Sequence, residues 1–587
     1  MNPREEYNDR LEQRRATLSQ HREAHLRIGQ ARLAIFVVAG VVAWASLYRG
    51  DISGWWLAAP VALFFGVLAY HQRIQRRMEC ARRAVNFYER AIDRLEGRWV
   101  GRGECGARFR NPQHPYADDL DLFVPGGVFE MLSSTRTRAG QNTLASWLMQ
   151  PAPVETLRSR HQAIEELRNK IDLREELFVL GEDFTAGVNP EALIDWAGQP
   201  LVVTSRLQRV ALAALGVLGI VFFVFLVASE FLGLWQRIAM MTLVLVNLGV
   251  MFRFRHTVDQ VVGDLDHPAQ DLALFASVLE RIEREEFSSP LLQRLREALN
   301  TEGDAASRRI ARLNRIAELV DSRDNFFVKL LEPVILWTPQ LVLVVEAWRA
   351  KSGAYVPGWL AAMGEIEALA SLAGYAFEHP SDPFPEFADG APVLEADGIA
   401  HPLLANGVPN DVRLDSRQPL WLVSGSNMSG KSTLLRAIGV NTILALAGAP
   451  VRARHMRLTT LNTGASIRVT DSLQEGSSRF YAEILRIRLI LDLPRPTLFL
   501  LDELLHGTNS HDRKIGAEGI VKALVARGAI GLVTTHDLAL ADIAGARNVH
   551  FEDRIEGGKI LFDYRLREGV VEHSNALDLM RAVGLEV

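Results

Sequence analysis

Residues 421–432 read WLVSGSNMSGKS, a short apolar run that opens into Gly425-Ser426-Asn427-Met428-Ser429-Gly430-Lys431-Ser432. These eight residues fit G-x-x-x-x-G-K-[ST] at every fixed position, the pattern of a loop that wraps phosphates. Glycines let successive backbone N–H groups turn inward on an anion, and a helix opening at Lys431 aims its positive dipole end at the same charge. The apolar spacing predicts a strand over Leu420 to Val423 and a helix over Thr433 to Ala447, which a plain Gly-Ser turn would not need. A nucleoside triphosphate held there would meet the Lys431 ammonium at its outer phosphates, and the Ser432 hydroxyl would ligate its magnesium.

Two further runs supply chemistry. Thr497 to Leu501 is apolar and ends in Asp502-Glu503, the way a buried parallel strand delivers two carboxylates to the rim of a nucleotide pocket. Phosphoryl transfer needs positioning and charge neutralisation, so Asp502 is expected to hold magnesium through water and Glu503 to orient and deprotonate the attacking water. Ala529 to Thr534 then runs into Thr535-His536-Asp537, which puts His536 within reach of a terminal phosphate. Alone, the acidic pair would read as a strand end and the histidine as a surface residue; after the loop they read as one site.

Between these runs stands Asp471-Ser472-Leu473-Gln474-Glu475-Gly476-Ser477-Ser478-Arg479-Phe480. Together with GSNMSGKST, LLDELLHGTNSHD and TTHD, this stretch resembles the ATPase domain of the MutS mismatch-repair family. The resemblance implies an α/β P-loop NTPase domain of the ABC type, ATP and Mg2+ as ligands, and a homodimer that sandwiches ATP between two subunits. Gly425 to Thr433 would then bind ATP; Lys431, Glu503 and His536 would act in cis, and Ser478 would act across the dimer seam. Asn509, Ser510 and Asp512 would belong to the loop crossing that seam. Asn548-Val549-His550 looks like the family's N-V-H strand, with His550 near the adenine. Phe562 to Leu566, Gly569, Ser574 and the helix ending Val583-Gly584-Leu585 are similar to its closing hairpin and helix.

Upstream, Leu122 to Pro153 with Arg160-His161-Gln162 is similar to the start of the family's core and lever region. Ala400 to Leu404 and Val408 to Asp411 look like the segment that leads into the ATPase. Two departures stand out: Leu505-His506-Gly507-Thr508 replaces the family's G-R-G-T, and Arg479 replaces the threonine of its signature. No mismatch-reading domain is expected, because the similarity begins about residue 120. Phe87-Tyr88-Glu89 lies in a charged helical run and Phe384-Pro385-Glu386 in a proline-rich loop, poor settings for a base-wedging F-x-E. No helix-turn-helix extension is expected after the closing helix.

Four uncharged apolar runs occupy the remaining space: Leu33 to Tyr48, Ile52 to Tyr70, Val210 to Ser229 and Ile238 to Phe252. A helix needs about 20 apolar residues to cross a bilayer, so the middle two suffice and the outer two need snorkelling flanks such as Arg32, Tyr48 and Arg253. Two transmembrane hairpins are the expected arrangement. Arginines crowd the outer flanks (Arg22, Arg27, Arg32; Arg73, Arg76, Arg77; Arg206, Arg209; Arg253, Arg255), while each connecting turn carries one. The positive-inside rule then places the termini and the ATPase in the cytoplasm and the protein in the inner membrane. Asn247, inside the fourth run, is expected to bond to a neighbouring helix.

Composition bounds the rest. A net charge of −5 provides no global basic field for nucleic acid, and 48 % hydrophobic residues suit a mostly soluble chain with a few spans. Cys80 and Cys105 stand far apart and are expected to remain thiols. The expected domains are a charged helical arm (1–32), a first hairpin (33–70), a basic helix and linker (71–119), a first helical core part (120–200), a second hairpin (205–255), a second core part (256–392) and the ATPase (393–587). Function divides between a membrane-anchored mismatch-repair ATPase that binds DNA, as the resemblance implies, and a membrane-tethered mechanical or scaffolding ATPase with a protein or lipid partner. A transporter half-molecule fits less well, since spans split around a core do not form a contiguous permease.

Overall fold

The computed structural model describes residues 2–49, 53–181, 190–202, 206–228, 233–262, 269–426, 428–468, 479–505, 510–536, 545–556 and 559–570. Asn427, Ser478, residues 506–509 and the closing helix lie outside the described residues. The chain forms two compact units, one of Met1–Ser134, Thr143–Glu175 and Ala368–Val587, the other of Thr135–Asn142 and Glu176–Glu367.

In the first unit, Pro3–Trp44 and Ala58–Leu95 form an antiparallel helical pair. Asn2 caps the first helix by accepting from the Arg4 N–H at 3.1 Å, and Pro3 occupies the first turn, where its missing N–H costs nothing. The helices run unbroken through residues 32 and 70, because a change between polar and apolar side chains leaves backbone hydrogen bonding uninterrupted. One end of the pair is cemented by buried Tyr7, Phe87 and Tyr88, with Tyr7 also packed on Phe377. Arg94 pairs there with buried Glu378 at 2.5 Å. At the other end Phe36, Val41, Trp44, Tyr48, Trp55 and Phe65 are exposed.

Among its described residues the second unit is helical apart from a hairpin of two-residue strands, β1 (Asn300–Thr301) and β2 (Asp304–Ala305), and short connecting loops. Leu272, Phe275, Leu279 and Ile282 of helix Ala269–Arg284 and Ile310, Leu313 and Ala317 of helix Ala306–Asp321 build its core. Arg309, 2 % exposed, donates to the Thr301 and Lys351 carbonyls. Among the described residues, four helices are long and apolar enough to cross a membrane.

The α/β part of the first unit carries two sheets. A four-stranded sheet has the order β3 (Glu386–Phe387), β7 (His455–Leu458), β4 (Val393–Ile399), β5 (Asn410–Asp415). Residues 379–392 are thus not wholly loop, since β3 pairs in parallel with β7. The larger sheet has the order β12 (Lys559–Glu568), β11 (Ala546–Glu556), β6 (Leu420–Ser424), β10 (Ile530–Thr535), β9 (Thr497–Asp502), β8 (Asn462–Ser466). Every pairing in it is parallel except β11 with β12. Its central strands are buried up to Asp502 at the end of β9, which is why they read as apolar runs.

Candidate nucleotide site

The carboxyl ends of β6, β10 and β9 lie side by side, where a parallel sheet presents its ligand crevice. From β6 the chain turns through Gly425 (φ 151°), Met428 (φ 72°) and Gly430 (φ 104°) into helix Lys431–Ala447. Glycine is required twice. A Cβ on Gly425 would meet the Ser429 hydroxyl at 2.7 Å, and one on Gly430 would press the Tyr564 ring at 3.1 Å. Lys431 is almost wholly buried and donates to the Gly425 and Ser426 carbonyls at 2.7 and 2.9 Å. Burial lowers its pKa while Glu503 and Asp502 oppose the shift.

Glu503 Oε1 lies 3.9 Å from the Lys431 ammonium and 3.5 Å from His536 Nδ1. Glu503 itself adopts φ 47°, a left-handed conformation that turns it out of the strand. The residue joining these parts is Thr534, whose hydroxyl accepts from the Glu503 N–H at 3.1 Å and donates to Asp502. Nothing in the sequence marked Thr534 beyond its place one residue before Thr535-His536; strand pairing of β10 between β6 and β9 gives it the role. Buried Glu483 accepts from the Leu505 N–H at 2.6 Å and holds the turn after the acidic pair.

A cavity of about 460 Å³ adjoins the loop. Ser426, Met428, Gly430, Lys431, Ser432, Thr433 and Glu503 line one side, and His401, Leu404, Val408, Asn410, Phe551 and Tyr564 line the other. Asn410 fixes the far wall by donating to the Tyr564 carbonyl (3.0 Å) and accepting from the Leu566 N–H (2.7 Å). His550 is not among the lining residues. Its Nδ1 hydrogen-bonds the Gly569 carbonyl at 3.1 Å, and strand alternation gives the cavity to Phe551.

Residues 116–123 anchor the site from behind. Asp119 is buried and accepts from the Ile467 and Arg468 N–H groups at 2.7 and 2.8 Å; its burial raises its pKa. Arg436, on the loop's own helix, donates to the Asp119 carbonyl and lies 3.7 Å from Asp121, which also pairs with Arg468. At the opposite end of that helix Arg160, stacked on Trp147, donates to the Ala447 carbonyl at 2.9 Å. A cation at a helix C-terminus stabilises the dipole whose positive end faces the loop.

Two imidazoles in this unit are kept neutral. Burial and then Arg436 hold the His401 pKa down to about 4, and burial alone holds His161, packed on Phe384 and Phe387, down to about 4. Unfolded, both return to the ordinary value of 6.5. Between these values the unfolded chain binds more protons, so stability falls as pH falls from 6.5 toward 4. Thermal melts at pH 7 and pH 5 should show a smaller acid loss for His401→Gln combined with His161→Leu than for the parent; equal losses would exclude these rings as the cause.

The residues fit Mg-nucleotide. The buried Ser429 hydroxyl has no protein partner, a cationic Lys431 turns back on its own loop, and the Ser432 and Asp502 oxygens are hard donors of the kind magnesium takes. Among the described residues no three His, Cys, Asp or Glu side chains converge on a metal position. The strand order, the glycine loop and the paired acids define an α/β domain with the loop and the acids at the carboxyl ends of its parallel strands. Residues 421–586 match MutS domain V. The similarity to the MutS family is carried by this domain.

The chain is 32 % identical over 240 residues to the DNA mismatch repair protein MutS of Aquifex pyrophilus, a stretch covering 38 % of this chain and 27 % of that protein. It is 34 % identical over 194 residues to the endonuclease MutS2 of Thermus thermophilus, covering 32 % of this chain and 25 % of that protein. It thus spans about a quarter of the length of these relatives.

Proposed function

We propose that this protein is a membrane-tethered ATPase of the MutS type, binding Mg-ATP in the cavity beside Gly425 to Thr433 and hydrolysing it. The observation that carries the reading is the placing of Glu503 beside Lys431 and His536, with Thr534 bridging it to Asp502. Magnesium, when bound, would neutralise charge between the outer phosphates. The chain's own residues do the rest: the loop N–H groups and Lys431 fix the phosphates, Glu503 takes a proton from the attacking water, and His536 orients that water or the terminal phosphate. Ser478 of a second copy completes the site in a homodimer, as the family resemblance implies.

The four apolar helices support the tether, with the ATPase on the arginine-rich, cytoplasmic side of the inner membrane. The relatives' printed roles make mismatched DNA the first candidate load. A second reading, a mechanical or scaffolding ATPase acting on a protein or lipid partner, is favoured by the apolar helices, which DNA repair does not require. The ATPase rate of the full chain in vesicles, measured at low salt with duplex, mismatched and branched DNA, separates them. Stimulation severalfold by mismatched DNA supports repair; an unchanged rate without DNA binding excludes it.

A further inference from the structure

The second unit holds a broken apolar helix beside its two candidate spans. Helix Phe326–Ile335 contains Pro333, the chain turns left-handed at Leu336 (φ 51°), and a new helix runs Trp337–Ser352. The break frees backbone acceptors. The carbonyls of Pro333 and Val334 lose the N–H groups of residues 337 and 338, and that of Ile335 faces Pro339, which has none.

These carbonyls are covered by the spans. Asn247, 0 % exposed although Leu245, Val246 and Leu248 around it are exposed, donates through Nδ2 to Pro333 O at 2.8 Å and Val334 O at 3.2 Å. On the other span a Cβ at Gly219 would stand 1.8 Å from Val334 O, and one at Gly216 would stand 3.2 Å from Ile335 O. Gln340, one turn past the break, donates to the Leu212 carbonyl at 2.6 Å. Gly216 is the midpoint of the apolar window Leu207–Phe225, and Asn247 lies within one turn of the centre of Leu234–Arg255. The break is therefore level with the middle of both.

We propose that residues 326–345 are a third membrane-embedded element of this unit, a helix broken at mid-depth, sealed by Asn247 and facing lipid acyl chains with Phe326 and Val344. The proposal rests on the membrane reading of the two spans. Irregular backbone persists in hydrocarbon only where protein covers its polar groups, and Asn247, Gly216 and Gly219 provide that cover. Phe326, 73 % exposed, and Val344 are apolar and exposed, as are Val217, Val221 and Met241 on the spans, so they share one solvent requirement. Lys329, exposed and two turns before the break, has the length to carry its ammonium to the headgroups. Beyond the segment, Glu346 pairs with Arg349 at 2.8 Å and accepts from the Val202 N–H, which marks the end that leaves the bilayer.

The test uses the full chain in phospholipid vesicles with Cys80 and Cys105 replaced by serine. A fluorophore is placed through Phe326→Cys, Val344→Cys, Val217→Cys or Glu297→Cys, and nitroxide groups on the acyl chains act as quencher. Quenching at 326 and 344 should come within about twofold of that at 217, with little at 297. Quenching at 217 but not at 326 and 344 would overturn the third element and leave the membrane reading standing. Absence at 217 as well would remove the membrane reading itself. Asn247→Leu should drop quenching at 326 and 344 while sparing 217; unchanged quenching would exclude Asn247 as the seal.

Discussion

Glu503→Gln should leave ATP affinity within about threefold of the parent and lower turnover by about 10²- to 10⁴-fold, the usual worth of a positioned general base. The carboxamide keeps the shape, and Thr534 still receives the backbone N–H of residue 503, so the Asp502 arrangement survives. What is lost is the acceptor for the water's proton. Lys431 also loses a carboxylate 3.9 Å away, which leaves more of its charge for phosphate and argues against weaker binding. Equilibrium titration with a fluorescent ATP analogue and single-turnover hydrolysis separate the two quantities. Normal single-turnover hydrolysis would remove Glu503 as the base.

Lys431→Ala should abolish nucleotide binding at ordinary concentrations. Truncating one member of a buried charge-assisted contact costs about 2–5 kcal/mol, a loss of affinity of about 30-fold to several thousandfold. The same substitution leaves the Gly425 and Ser426 carbonyls without the donor they have in the free protein, so the loop loses its resting geometry too. The two variants therefore fail at different steps. Unchanged affinity in Lys431→Ala would refute the loop assignment, and a loss of binding in Glu503→Gln would mean that the acid holds the nucleotide.

Much of this site was legible in the chain because its parts are local. A glycine loop between strand and helix, and two acids at the end of an apolar run, are each specified within about a dozen residues. The resemblance to MutS rested on the same motifs, and the match of residues 421–586 covers them. Longer-range relations are less legible: the N-V-H setting of His550 carries no sign that strand alternation gives the cavity wall to Phe551 and that His550 Nδ1 meets the Gly569 carbonyl.

By itself the sequence determined the class of domain, the glycine loop between strand and helix, the acidic pair and the existence of four long apolar helices, since each is a property of consecutive or periodically spaced residues. Only the tertiary structure decided that Thr534 ties Asp502 to Glu503, that Asn410 and Tyr564 close the cavity, and that Asn247 meets the freed carbonyls of residues 333 and 334. Those partners come together through strand order and helix packing. A hydrogen bond between residues 31 or 86 positions apart leaves no periodicity in a chain, because the geometry that makes it belongs to the fold.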